Sequence, residues 1–98
     1  MSKTTFHGKD GSQDAIIAAL KAAGASVQDL SRIATPGVPD LLVGWRGKNY
    51  LLELKPETGS KKQLSLRPSQ VVWHAAWGGQ VAVCHDADQA LSVIYESI

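Results

Sequence analysis

A single cysteine, Cys84, occurs in the 98 residues, so no intramolecular disulfide can form. The three histidines join no Cys/His cluster at zinc spacing. A disulfide-stapled secreted scaffold and a zinc module are both excluded, and a reduced, cytoplasmic setting is the expectation. Long apolar runs are missing too. No segment approaches the roughly 18 apolar residues of a membrane span, and the opening "MSKTTFHGKDGSQD" has no signal core, so a soluble chain with no membrane partner is expected. Charge of one sign is also lacking: ten Lys and Arg against nine Asp and Glu leave +1, which excludes a strong global field for nucleic acid. Any electrostatic footprint must be local, and Lys55, Lys61, Lys62 and Arg67 do lie together, against only Glu57. No repeat, low-complexity tract or interior linker divides the chain, and 44% hydrophobic content suffices for one core. One domain over residues 1–98 is expected, with no organic cofactor.

What is present is a series of short patterned segments. "GSQDAIIAALKAAG" predicts a helix, because Ser12 can cap it, Ile16, Ile17 and Leu20 form one stripe, and Gly24 is placed to end it. "ASVQDLSR" predicts a short strand. Residues 37–55, "GVPDLLVGWRGKNYLLELK", predict two apolar strands joined through "RGKN", with Gly47 suited to the first central position of a type II′ turn. "PETGSKKQLSL" reads as a polar loop. Pro68 opens a second helix that runs to Gly78 and Gly79, and "QVAVCH" is a strand. Asp86 with Gln89 makes a capping-box-like start for a last helix carrying Leu91, Ile94 and Ile98. The order predicts an α/β domain built on a mixed β-sheet flanked by helices.

The hairpin has a chemical consequence. With Gly47 and Lys48 as the turn, Trp45 pairs with Tyr50, Leu42 with Glu53 and Asp40 with Lys55. Side chains alternate with period two, so Asp40, Glu53 and Lys55 share one face while Leu41, Val43, Leu52 and Leu54 share the other. Two carboxylates and a lysine therefore converge. That is a set able to hold a hard divalent cation and to act on a water or a developing charge beside it. An Asp40–Lys55 ion pair alone would leave Glu53 unexplained.

With Pro39-Asp40 followed by Glu53-Leu54-Lys55, the sequence resembles the PD-(D/E)XK nuclease superfamily. "GVPDLLVG", "YLLELK" and "LSLRPSQVVWHAAWGGQVAVCHDADQAL" together resemble its virus-type replication-repair nuclease branch, VRR-NUC, over residues 12 to 95, in a stand-alone version such as phages carry. The resemblance implies a restriction-endonuclease-like core. It further implies Leu66, Pro68 and Gln70 at the opening of the helix after the ExK strand, with Gln70 as an active-site hydrogen bonder. Its plainer reading is an exposed turn residue. The family's further acidic residue on the first helix is not matched: the stripe centre falls on Gln13, with Asp14 at its edge. An amide oxygen there can still hold a water but brings no charge, so either metal affinity is reduced or Asp14 substitutes; Gln13 reads equally as a helix-opening polar residue.

The function expected is Mg²⁺- or Mn²⁺-dependent hydrolysis of DNA phosphodiesters. Asp40, Glu53 and the Leu54 carbonyl would hold the metal, and Lys55 would orient or deprotonate a water or stabilise phosphate charge. Lys61, Lys62 and Arg67, otherwise a solvated loop, flank the side where a phosphate backbone must pass. His74 reads as a half-buried residue packed beside Trp77. Trp45, Trp73 and Trp77 read as core or interface, not base-stacking platforms. The apolar second helix suggests a homodimer, and the resemblance implies the same state together with four-way (Holliday) junctions as preferred DNA. The alternatives are a DNA-binding accessory protein with weak or no cleavage, and an interaction module built on the tryptophan helix.

Overall fold

A computed structural model describes residues 9–96. The elements run α1 (Lys9–Ala22), β1 (Ser26–Asp29), β2 (Leu41–Trp45), β3 (Lys48–Leu54), α2 (Lys61–Leu64), α3 (Pro68–Ala76), β4 (Ala82–Cys84) and α4 (Ala87–Tyr95). They form a four-stranded sheet in the order β1-β2-β3-β4. The first three strands are antiparallel and β4 runs parallel to β3, which is the mixed α/β architecture expected.

Helix α1 is described from Lys9 onward, so Ser12 lies within it and not at its start. Its end matches the sequence reading. Gly24 sits at φ 98°, with Gly24 N–H bonded to the Lys21 carbonyl at 3.0 Å and Ala25 N–H to the Leu20 carbonyl at 3.0 Å. This paired closure needs a left-handed residue after the last turn, which glycine supplies without a Cβ clash. Ile16 and Leu20 of α1 pack with Leu41, Val43, Tyr50 and Leu52 of the sheet and with Ala90 and Ile94 of α4, all of them buried. Each buried Leu or Ile contributes about 2 kcal/mol through removal of apolar area from water. Asp86 caps α4 by accepting from Gln89 N–H at 2.8 Å, while the Gln89 side chain accepts from His85 N–H, one residue earlier than a capping box requires. Ile98 lies outside the described residues.

The hairpin register differs from the expectation. Trp45 pairs with Lys48, Val43 with Tyr50 and Leu41 with Leu52, so the next pair outward is Asp40 and Glu53. Arg46 (φ 50°) and Gly47 (φ 82°) are the turn residues, and two positive φ values define the type I′ class, not type II′. The arginine adopts that unfavourable region with its guanidinium 4.6 Å from the centre of the Trp45 ring. A slip of two positions leaves every side chain on its own face, whereas a slip of one would invert them all. The face assignment therefore stands, and the partner of Asp40 changes from Lys55 to Glu53.

Within the polar loop the chain forms the short helix α2, closed by a capping box. Ser60 Oγ accepts from Gln63 N–H at 3.2 Å and Gln63 Oε1 accepts from Ser60 N–H at 2.8 Å. Helix α3 starts at Pro68 as expected and ends at Ala76 with Trp77 as its cap. Trp45 belongs to the core, whereas Trp77 is 45% exposed and stacks on Trp73 with centroids 4.6 Å apart. The rings of His74 and Trp73 lie in a T-shaped arrangement, with centroids 6.0 Å apart. No described helix is long and apolar enough to cross a membrane.

Gly37 joins the segment before Asp40 to α3. It has φ 90°, and a Cβ there would overlap the Ser69 carbonyl oxygen and lie 2.8 Å from Trp73 Cβ. Gly37→Ala should cost about 2–4 kcal/mol, since backbone strain and overlap add. Gly47→Ala, at φ 82° with open space around it, should cost only about 1 kcal/mol. Urea midpoints for the two variants check this ranking, and equal costs would contradict the close approach to α3.

Candidate active site

Asp40 stands just before β2, where its carbonyl accepts from Leu30 N–H at 2.8 Å and its side-chain Oδ2 accepts from Leu54 N–H at 2.7 Å. The second bond turns the carboxylate across the hairpin toward Glu53. Glu53 is 2% exposed although it is an acid on a strand. Buried carboxylates survive when donors meet them, and one does here: Gln70 Nε2 donates to Glu53 Oε2 at 2.9 Å.

Gln70, 3% exposed, is the hub of the site. Its Oε1 accepts from Lys55 Nζ at 2.8 Å and from Arg67 N–H at 2.8 Å. Two donors at the oxygen fix the amide orientation, so the NH₂ must face the carboxylate. Lys55 Nζ is also 3.7 Å from Glu53 Oε2. The lysine, one residue past the end of β3, is thus paired with Glu53 and not with Asp40 across the strands. Gln70 is no exposed turn residue; it joins the acid, the base and the start of α3.

Glu53 Oε1 is buried and meets no donor. Desolvation first, then the charge of Asp40, push the Glu53 carboxyl up to about 7, against a smaller opposing pull from Lys55 and Arg67. A bare buried oxygen beside a second carboxylate suits either a proton or a cation. The donors are hard oxygens, and Mg²⁺ characteristically takes one or two carboxylates and fills its other positions with water and phosphate, so the residues fit the metal expected. No third His, Cys, Asp or Glu joins them among the described residues.

These groups open onto a cleft of about 680 Å³. Gln13 lines it, as do Asp40, Glu53, Leu54, Lys55 and Gln70, while Asp14 is exposed and outside the lining. Of the basic residues, Lys62 and Arg67 line the cleft and Lys61 does not. Leu54 is fixed by its N–H bond to Asp40. Glu57, Thr58 and Gln63, which sequence reasoning gave no role, complete one wall. The Ser60-x-x-Gln63 spacing was the available signal for that wall's structure. His74 Nε2 is buried without a partner, and burial, then the Lys55 charge, hold its pKa below the usual value. Burial pushes the Cys84 thiol up to about 11, so it is inert.

Fold and site together describe a nuclease-like α/β domain with an acid, an acid and a lysine at one end of its sheet. Among solved structures the chain is similar to a VRR_NUC domain, with 26% identity, a TM-score of 0.68, and coverage of 92% of this chain and 97% of that one. The likeness supports identification of the chain as a VRR-NUC domain and suggests a nuclease. No family model and no curated protein matches the sequence.

The raised Glu53 pKa makes the metal-free fold pH-dependent. Below the unfolded value near 4.5 both states are protonated; between 4.5 and about 7 the unfolded state ionises while the folded state keeps its proton. Stability therefore falls as pH rises through this window, by as much as about 3 kcal/mol. Glu53→Gln in EDTA should melt several degrees higher than the parent at pH 8 and at nearly the same temperature at pH 4.5. A parent whose stability rises across the window by more than the Gln variant's would contradict the burial argument.

Proposed function

We propose that this chain is a Mg²⁺- or Mn²⁺-dependent DNA endonuclease. The observation that carries the reading is the pairing of Asp40 with a buried Glu53 whose Oε1 lacks a partner, while Gln70 holds Lys55 beside them. When bound, a divalent cation supplies Lewis-acid charge for the scissile phosphate and lowers the pKa of the attacking water. Asp40 and Glu53, with the Leu54 carbonyl, would provide its protein ligands. Leu54 N–H and Gln70 Nε2 aim the two carboxylates, which lowers the reorganisation needed on binding. Lys55 orients the water or neutralises charge gathering on the phosphate oxygens, and its bond to Gln70 fixes the ammonium position. Lys62 and Arg67 meet the flanking phosphates, with Lys61 at the exposed rim. Gln13 contributes a neutral amide where a carboxylate would strengthen the metal site, and this favours the accessory-protein reading if cleavage is absent.

The assay is incubation of labelled DNAs with Mg²⁺, Mn²⁺ or EDTA. Asp40→Ala and Glu53→Ala should each lower cleavage by at least about a thousand-fold, the order expected from losing charge stabilisation of the transition state, with DNA affinity retained or increased. Metal-dependent cutting by Asp40→Ala at the parental rate would remove the proposed site. Binding without cleavage by the parent would establish the accessory reading.

The substrate proposed is branched DNA, cut by a two-fold homodimer. Val71, Val72 and Trp77 of the α3 region are 52%, 69% and 45% exposed, an apolar surface unusual for an isolated small domain. Two symmetric copies would present two sites to the two equivalent strands of a four-way junction. Light scattering should give a dimer mass, Val72→Asp should shift it toward monomer, and a synthetic junction should be incised in preference to linear duplex. A monomer with equal cutting of both DNAs would leave only a general endonuclease.

A further inference from the structure

Beyond Lys55 the chain leaves the sheet and becomes one wall of the cleft, where Glu57, Thr58 and Lys62 face the site. Residues 57–63 are all exposed, so little apolar burial holds them and hydrogen bonds must set their position. The far end is closed by the Ser60 and Gln63 capping box. The near end is tied from a distant part of the sequence. His85, just after β4, places Nδ1 3.0 Å from the Pro56 carbonyl oxygen. Beside it, Lys55 N–H donates to the Cys84 carbonyl at 3.0 Å. A carbonyl only accepts, so Nδ1 must carry the hydrogen; the same bond forms whether the ring is neutral or protonated. The histidine is itself anchored, because its backbone N–H donates to Gln89 Oε1 at 2.7 Å and Gln89 N–H donates to Asp86 at 2.8 Å.

We propose that His85 is a positioning residue for DNA: its tie to Pro56 sets the wall that carries Lys62 at the height where a phosphate passes the Asp40 and Glu53 site. The proposal rests on the DNA reading above and adds a residue that touches neither metal nor substrate. Without that tie the near end would be held only as far as Lys55, whose N–H meets the Cys84 carbonyl, and the capping box within α2 anchors the loop to nothing else; residues 56–63 would then sample more positions, and each phosphate contact would have to order them on binding.

The test is a titration of fluorescently labelled junction DNA in EDTA, where affinity is read without cleavage, for the parent, His85→Phe, His85→Asn, Lys62→Ala and the His85→Phe/Lys62→Ala double variant. Phenylalanine keeps a ring of similar size but has no donor, and the asparagine amide places an N–H near the position of Nδ1. His85→Phe should raise Kd about ten-fold and lower the slope of log affinity against log salt by about one. His85→Asn should stay within about two-fold of the parent, since one ordinary hydrogen bond is restored. In the double variant the Lys62→Ala effect should largely vanish, because the lysine is already misplaced. His85→Ala replaces the Phe variant if melting shows the latter unfolded. Parental affinity in a folded donor-less variant, an Asn variant as weak as Phe, or fully additive losses would each overturn the proposal. Cleavage with Mn²⁺ measured in parallel separates the two readings: its absence from the parent overturns the nuclease reading alone.

Discussion

Asp40 and Glu53 face one another across the open end of a hairpin, and two carboxylates can only accept hydrogen bonds. Water would ordinarily solve the problem, but Glu53 is buried and its Oε1 has no donor within reach. Folding thus leaves an unmet demand for positive charge at one point, which a proton or a divalent cation can meet. The rest of the site is arranged to make that demand tolerable without removing it. Leu54 N–H meets Asp40, Gln70 meets one oxygen of Glu53, and Lys55 adds charge at 3.7 Å.

Gln70 shows why the arrangement is cooperative. A single amide serves Glu53 with its nitrogen while its oxygen receives Lys55 and the Arg67 backbone, so the acid, the base and the start of α3 share one rigid group. Moving α3 would unseat the carboxylate and the lysine together. Close contact between Gly37 and the Ser69 and Trp73 region ties α3 to the segment that delivers Asp40. Both carboxylates are thereby referred to the same helix, one through Gln70 and one through the chain path from Gly37. Gly37 makes that closeness possible because it brings no Cβ.

The two-residue alternation was legible in the sequence and was sufficient to bring Asp40, Glu53 and Lys55 to one face. The pairing was not, because glycine suits more than one turn class and only the Arg46 backbone at φ 50° distinguishes them. Since the error was an even number of residues, the chemistry survived it. The inward side of α1 was legible from the Ile16 and Leu20 stripe, and Gln13 lines the cleft while Asp14 is exposed. The start of that helix was not, as Ser12 is a good cap that the chain passes over. Helix α2 was legible in principle from Ser60 and Gln63, although a polar, glycine-containing segment reads first as loop. The Gln70 bridge and the His85 tie depend on residues 15 to 29 positions apart. No local pattern encodes such contacts: the resemblance pointed to Gln70 but not to its partners, which it meets when α3 packs against the end of β3, and the His85 tie forms when β4 pairs with β3.

The competition between proton and cation at Glu53 can be measured by calorimetric titration of the protein with Mn²⁺ in buffers of different ionisation enthalpy. With the Glu53 carboxyl near 7, binding at pH 6 should release close to one proton per metal ion, and binding at pH 8 should release few. Glu53→Gln should bind weakly and release none. Tight Mn²⁺ binding with no proton release at pH 6, or unchanged binding in the Gln variant, would contradict the view that the bare Glu53 oxygen is the point on which the site is built.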